Sequence, residues 1–177
     1  MSNVLRIFLL TMLLHPIQVF VQETPARSLE DQKPDTKGPE RGRLLLLGGG
    51  ITKHHAELIK KFAGGEKAKI IVIPTAYSDR EIAKDPTFKN AKHRLKKLGI
   101  SNITIIHTRD RDTANSEAFT APIKKAGGLL LLGGRTQRIT SAYLNTKTHT
   151  AITALLNRGG IIAGVSAGSG VQATYFS

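Results

Sequence analysis

Five short apolar runs, separated by segments with helical periodicity, constrain the fold of this chain more than any other feature. The runs occupy residues 43–47, 69–74, 102–107, 128–134 and 160–164, and none of them alternates apolar with polar residues over its full length. Strands of this kind are typical of a sheet that is covered on both faces. Apolar residues recur at helical spacing in four of the intervening segments, which are 53–63, 88–99, 115–128 and 148–160.

Alternating strands and helices of these lengths predict an α/β fold, with a three-layer, mostly parallel sheet and right-handed crossovers. The third helical segment contains Pro122, which requires either a kink or a late start. Residues 43–177 are long enough for one domain with its own core.

The first 42 residues have a different character. Residues 1–22 combine Arg6 with an apolar run over 7–14, which is too short to span a membrane and predicts a signal peptide and export to the periplasm or the extracellular space. Residues 23–42 are rich in proline and charge without apolar periodicity, and we expect a disordered linker there.

The net charge of +13 falls entirely on residues 43–177. A basic surface favours anionic partners. Because the lysines and arginines are spread over several predicted helices and aromatic residues are few, specific nucleic-acid binding is not expected. The charge alone also allows an alternative to any catalytic function: a non-catalytic basic protein that binds an acidic polymer.

The sharpest motif is Gly164-x-Ser166-x-Gly168, between the fifth apolar run and a segment that can open a helix. This is the strand–turn–helix context of a nucleophile elbow, in which glycines permit a tight turn that exposes the serine hydroxyl. The amide of Ala167 is then placed to donate to a developing oxyanion. A plain strand-to-helix turn is the other interpretation.

A second glycine pair, Gly133-Gly134, ends the fourth run, and its backbone is a candidate second oxyanion donor or a simple turn. No cofactor is expected, because GGGITK over 48–53 matches neither a dinucleotide nor a Walker loop. No metal is expected either, since the chain lacks cysteine and the adjacent His54 and His55 diverge on a helix.

Several stretches resemble, in the same order, the cyanophycinase/peptidase E family of serine peptidases. They are RLLLLGGG, AGGEKAKIIVIPTA, IIHTRDRDTAN, LLLLGGRTQRITSAYLNT and LLNRGGIIAGVSAGSGVQATYF, all within residues 43–177. The resemblance implies a flavodoxin-like fold related to class I glutamine amidotransferases. An α/β-hydrolase esterase, the third hypothesis, would place its oxyanion loop much further upstream.

The resemblance also implies roles for individual residues. Ser166 would be the nucleophile, Ala167 and the Gly134 region the oxyanion donors, and Arg135 and Gln137 residues on the substrate side. The implied substrates are aspartyl or isoaspartyl peptides or an Asp-rich polymer such as cyanophycin, and a homodimer is a candidate assembly.

The sequence departs from the family pattern in three places. Thr136 stands where glutamine is common, and Ser169 replaces an alanine. The family's catalytic histidine and its acidic partner lie downstream of the serine, whereas no histidine follows Ser166 here. We therefore expect a fold that is incomplete at its C-terminus and a truncated, inactive form. His107, which follows the third run, is the one candidate substitute base.

Overall fold

The computed structural model of the chain describes residues 41–172. The predicted signal peptide over 1–22 and nearly all of the predicted linker over 23–42 lie outside the described residues. No helix within residues 41–172 is both long enough and apolar enough to cross a membrane.

Five strands and eight helices alternate along the described part of the chain. The strands are β1 (Arg43–Leu47), β2 (Ile70–Ile73), β3 (Ile103–Ile105), β4 (Gly128–Leu131) and β5 (Ile161–Val165). The helices are α1 (Lys53–Ala63), α2 (Asp79–Lys84), α3 (Lys89–Lys97), α4 (Arg111–Ala114), α5 (Glu117–Lys124), α6 (Thr136–Tyr143), α7 (Lys147–Asn157) and α8 (Ala167–Gly170). All five predicted strands are present.

The sheet has the strand order β1-β5-β4-β2-β3, and every pair of neighbouring strands is parallel. The register of the edge pair runs from Arg43 opposite Ile161 to Leu47 opposite Val165. The predicted α/β fold with a parallel sheet is therefore confirmed.

Two apolar clusters cover the two faces of the sheet and make three layers. On one face, Ile71, Ile73, Leu129, Leu131 and Ile162 pack with buried residues of α4 to α7. On the other face, Ile70, Val72, Leu130, Ile161 and Ala163 pack with buried residues of α1 and α3. Because successive side chains of a strand point to opposite faces, a strand buried on both sides needs an unbroken apolar run.

The helix predicted over 115–128 is α5 in the structure, and the shorter α4 precedes it outside the predicted range. Asp110 caps α4, and Ser116 caps α5 by accepting a hydrogen bond from the amide of Phe119. Pro122 lies inside α5, in its second turn, so of the two expected alternatives the helix does not take the late start. Helices α2, α4 and α6 were not predicted.

Strand β1 lies at one edge and pairs with β5 alone among the strands of the described region. Its Leu44 and Leu46 are 44% and 58% exposed, whereas Leu47 is buried. The edge strand thus contributes its carboxyl end to the core and leaves two leucines accessible.

Candidate active site

All five strands point their carboxyl ends to the same edge of the sheet, and the segments that follow them meet there. In open parallel sheets, ligands bind beyond this edge. The elbow follows the fifth strand and the glycine pair follows its neighbour in the sheet, the fourth. The sequence motifs that were predicted to act together therefore lie on adjacent strands.

Ser166 lies in a sharp turn between β5 and α8. Its backbone angles are φ 52° and ψ −114°, a combination that residues with a β-carbon rarely adopt and that lies outside the left-handed helical region. The residue is exposed, and its amide donates a 2.7 Å hydrogen bond to the carbonyl oxygen of Leu47 at the end of β1. Strained residues of this kind concentrate at functional sites, where the surrounding structure holds them in place.

The two glycines of the motif allow the close approaches that the turn requires. A β-carbon on Gly164 would lie 2.1 Å from the carbonyl oxygen of Gly168, and one on Gly168 would lie 2.3 Å from the carbonyl oxygen of Leu131. Helix α8 is therefore packed against β5 and β4 with no room for side chains at these positions.

The hydroxyl of Ser169 ties α8 to the end of β1. It accepts a 2.9 Å hydrogen bond from the amide of Leu47, and it lies within donating distance of the carbonyl oxygens of Leu47 and Gly164. The substitution of serine for the family's alanine thus adds polar contacts that fix the helix behind the turn.

The glycine pair after β4 lies beside the turn. A β-carbon on Gly133 would lie 3.4 Å from the β-carbon of Ser166 and from the carbonyl oxygen of Val165. Gly134 has φ 136°, and its own β-carbon would lie 2.1 Å from the carbonyl oxygen of Ala76. Gly133 thus lies next to the serine, and Gly134 is packed against the segment that follows β2.

Three amides beside the serine-bearing turn are without acceptors in the described region. The N–H groups of Gly133, Gly134 and Ala167 make no hydrogen bond within residues 41–172, whereas the next amide, that of Arg135, donates 3.0 Å to the carbonyl oxygen of Ala76. Free amides around an exposed hydroxyl can stabilise negative charge that develops on a carbonyl oxygen.

The two residues predicted on the substrate side begin the next helix. Arg135 is the N-cap residue of α6 and Gln137 lies in its first turn, and both side chains are exposed. Between them, the hydroxyl oxygen of Thr136 lies 3.4 Å from where a β-carbon of Gly170 would be. The start of α6 therefore lies next to α8 and close to the turn.

A hydrogen-bonded cluster that the sequence analysis missed lies further along the same edge. The hydroxyl oxygen of Thr75 is 2.9 Å from Nδ1 of His107 and 2.6 Å from the hydroxyl of Tyr143. Strands β4 and β2 separate β5 from β3, so His107 lies roughly 14 Å from the strand that carries Ser166, at about 4.8 Å per strand. This histidine belongs to the Thr75 cluster and is too distant to act as a base for Ser166.

Burial lowers the pKa of His107 below its ordinary value of 6.5, and the nearby positive charge of Arg109 lowers it further. As the pH falls below 6.5, the unfolded chain takes up this proton before the folded one does. The stability that the neutral imidazole contributes is therefore complete above pH 6.5 and is lost as the pH falls through the folded pKa.

We expect acidification from pH 7 to pH 5 to reduce the free energy of unfolding of the wild type more than that of His107→Gln. Urea denaturation at several pH values measures the two slopes. Parallel slopes would show that the imidazole does not titrate differently in the folded and unfolded states.

Residues 41–172 contain no group of three histidine or acidic side chains that could hold a metal ion. The fold and the turn define the class of protein: a three-layer, parallel α/β protein that carries a strained, exposed serine between a strand and a helix at the carboxyl edge of its sheet.

Comparison with known proteins identifies the family within that class. The sequence model of peptidase family S51 matches residues 44–176, and the chain therefore belongs to this family of hydrolases. Cyanophycinases from Trichormus variabilis and Nostoc sp. are each 27% identical to it over 154 residues, which is 83% of this chain and 49% of the relative. The predicted cyanophycinase/peptidase E resemblance is confirmed.

A solved structure supports the fold. The crystal structure of a peptidase from an acI-B1 Actinobacterium superposes with a TM-score of 0.65 at 24% identity, over 76% of this chain and 57% of that chain. The flavodoxin-like three-layer arrangement is thus confirmed. The chain spans about half the length of the two cyanophycinases that it matches.

Proposed function

We propose that this chain is a serine-type peptidase that cleaves aspartyl or isoaspartyl peptide bonds, with Ser166 as its nucleophile. The observation that carries the proposal is the backbone of Ser166, which is strained at φ 52° and ψ −114° and leaves the residue exposed among unpaired amides. Membership of peptidase family S51 and the likeness to two cyanophycinases support the reaction and the substrate class.

In the proposed reaction, the hydroxyl oxygen of Ser166 attacks the carbonyl carbon of the substrate and gives its proton to a general base. The amides of Ala167 and of the Gly133-Gly134 pair stabilise the oxyanion of the tetrahedral intermediate. The amine leaves with a proton, and water hydrolyses the remaining acyl ester to restore the serine. Arg135 and Gln137 contact the substrate from the start of α6.

The described region offers no evident general base for Ser166. The hydroxyl of Ser166 has no hydrogen-bond partner within residues 41–172, and His107 is three strands away. A serine hydroxyl without an adjacent base is a poor nucleophile at neutral pH. We therefore propose that the described region on its own hydrolyses peptides very slowly.

A thiol at position 166 tests the proposal without needing the base, because a thiolate is intrinsically nucleophilic. The chain has no cysteine, so Ser166→Cys introduces a single thiol. We expect p-nitrophenyl acetate to acylate it at least ~10-fold faster at pH 7 than it acylates the control Ser101→Cys, because oxyanion donors typically contribute at least this much.

The control residue Ser101 is exposed and lies at the opposite edge of the sheet, before β3. Mass spectrometry of the acylated protein follows both reactions. Equal acylation rates for the two variants would mean that the turn does not activate a nucleophile, which would contradict the proposal.

A further inference from the structure

One buried carbonyl group holds the loop that contains the glycine pair. Ala76, in the segment after β2, is fully buried, and its carbonyl oxygen accepts hydrogen bonds from the amide of Arg135 at 3.0 Å and from Nη1 of Arg138 at 3.1 Å. Gly134 packs on the same group, because a β-carbon there would lie 2.1 Å from this oxygen. The end of the glycine pair and the first turn of α6 are therefore attached to the domain at one atom.

Arg138 supplies the charged donor to this carbonyl oxygen. It is the third residue of α6, and its side chain is partly buried. It forms no salt bridge with any residue in 41–172, and the nearby carboxylate of Glu81 already accepts hydrogen bonds from the amide and hydroxyl of Ser78. Hydrogen bonds from a charged donor are stronger than those between neutral groups. The bond to Ala76 is therefore the contact through which Arg138 acts on the fold.

The last residue of α6 is attached to the same segment. The hydroxyl oxygen of Tyr143 lies 2.6 Å from that of Thr75, the residue before Ala76. Thr75 is fully buried, and its hydroxyl oxygen also lies 2.9 Å from Nδ1 of His107. This cluster fixes the position of Thr75, and with it the position of the adjacent carbonyl group of Ala76.

We propose that Arg138 is a positioning residue for the amides that stabilise the oxyanion. By holding the carbonyl oxygen of Ala76, it fixes the Gly133-Gly134 turn beside Ser166. Because the amide of Arg135 is bonded to the same oxygen, the orientation of the two preceding peptide groups is fixed as well. Donors that are displaced by as little as ~1 Å lose much of their effect on a transition state. The inference rests on the proposed function for the role of the amides, although not for the contact itself.

Two reactions of Ser166→Cys separate an effect on the oxyanion from an effect on the thiol. Acylation by p-nitrophenyl acetate develops negative charge on a carbonyl oxygen, whereas in alkylation by iodoacetamide the sulfur displaces iodide and no oxyanion forms. In the Ser166→Cys background, we expect Arg138→Ala to lower the acylation rate at least ~5-fold and to leave the alkylation rate within about 2-fold, because only acylation uses the amides. A general loosening of the turn would change both rates.

Two further variants identify the cause of the change. Arg138→Lys is expected to retain part of the acylation rate, because an ammonium group can also donate a hydrogen bond to the carbonyl oxygen. Arg111→Ala is the matched control: its guanidinium group also donates to backbone carbonyl oxygens, those of Ser141 and Leu144, at the opposite end of α6. It is expected to leave the ratio of acylation to alkylation unchanged.

Amide hydrogen exchange followed by NMR tests the contact without a nucleophile. Arg138→Ala is expected to accelerate exchange at the amide of Arg135 at least ~10-fold, because the loop that this amide attaches to Ala76 opens more often. The amides of β4 are the reference, since global destabilisation would accelerate their exchange as well. Arg111→Ala is expected to leave the amide of Arg135 as protected as it is in the wild type.

The proposal is overturned if Arg138→Ala and Arg111→Ala change the ratio of acylation to alkylation equally, or if Arg138→Ala does not accelerate exchange at Arg135. Its failure is distinguishable from that of the proposed function. Fast acylation of Ser166→Cys that Arg138→Ala does not reduce removes the positioning role alone. Acylation of Ser166→Cys no faster than that of Ser101→Cys removes the proposed function and the role of the amides, whereas the exchange result would still identify Arg138 as the residue that holds the loop.

Discussion

Gly134→Ala is expected to destabilise the protein by at least about 3 kcal/mol, through backbone overlap and an unfavourable backbone conformation together. The added β-carbon would lie 2.1 Å from the carbonyl oxygen of Ala76 and 2.5 Å from its carbonyl carbon. Since both contacts are to backbone, rotation of a side chain cannot relieve them. The φ of 136° is unfavourable for alanine in any surroundings.

Urea denaturation followed by circular dichroism measures the change in the free energy of unfolding. The neighbouring substitution Gly133→Ala is the control, because its β-carbon meets only ordinary contacts at 3.4 Å. We expect it to stay within about 1 kcal/mol of the wild type, as a substitution without overlap does. If the two variants were equally stable, the loop after β4 would be free to move away from Ala76.

Gly168→Ala is expected to destabilise by about 3 kcal/mol and to abolish the enhanced acylation of Ser166→Cys. Its β-carbon would overlap the carbonyl oxygen, carbonyl carbon and β-carbon of Leu131, at 2.3, 2.7 and 2.8 Å. The overlap is relieved only if α8 moves away from β4. That movement also displaces the amide of Ala167 from the site.

The control for this change is Gly170→Ala in the same short helix, where the nearest atom is the hydroxyl oxygen of Thr136 at 3.4 Å. An alanine there is expected to be neutral or slightly stabilising, since glycine is the poorer helix former by about 1 kcal/mol. A Gly168→Ala variant that retains both stability and fast acylation would refute the close packing of α8 on β4.

The strands were predictable because burial on both faces requires a nearly unbroken apolar run in the sequence. A strand such as Ile70–Ile73, fully buried between two helical layers, must be apolar at every position. Helix α1 was predicted to the residue, since its apolar stripe ends at the left-handed Gly64.

The unpredicted helices show two different reasons for failure. Helix α2 carries a capping box in Ser78 and Glu81, but none of its residues is buried, so it has no apolar periodicity that would predict it. Helix α6 begins at Thr136, and its N-cap residue Arg135 makes no side-chain capping hydrogen bond, so its start has no such marker in the sequence. Its position depends on packing against the rest of the domain.

The residues of the candidate site also differ in whether the sequence predicts them. Ser166 and the glycine pair were found because tight turns require glycine at fixed spacing, and a motif records that spacing. The Thr75 cluster was not found, because its significance depends on which segments the sheet order brings together.

The pairing of the first strand with the fifth, Arg43 opposite Ile161, has a consequence for how the domain is made. During synthesis, β1 emerges first from the ribosome and finds its neighbour in the sheet only after four further strands have been translated. Contacts of such long sequence separation form slowly. In the interval, its leucines are exposed to solvent and to other nascent chains, which favours assistance by a chaperone. The serine-bearing turn depends on this pairing, because the amide of Ser166 donates to the carbonyl oxygen of Leu47 at the end of β1.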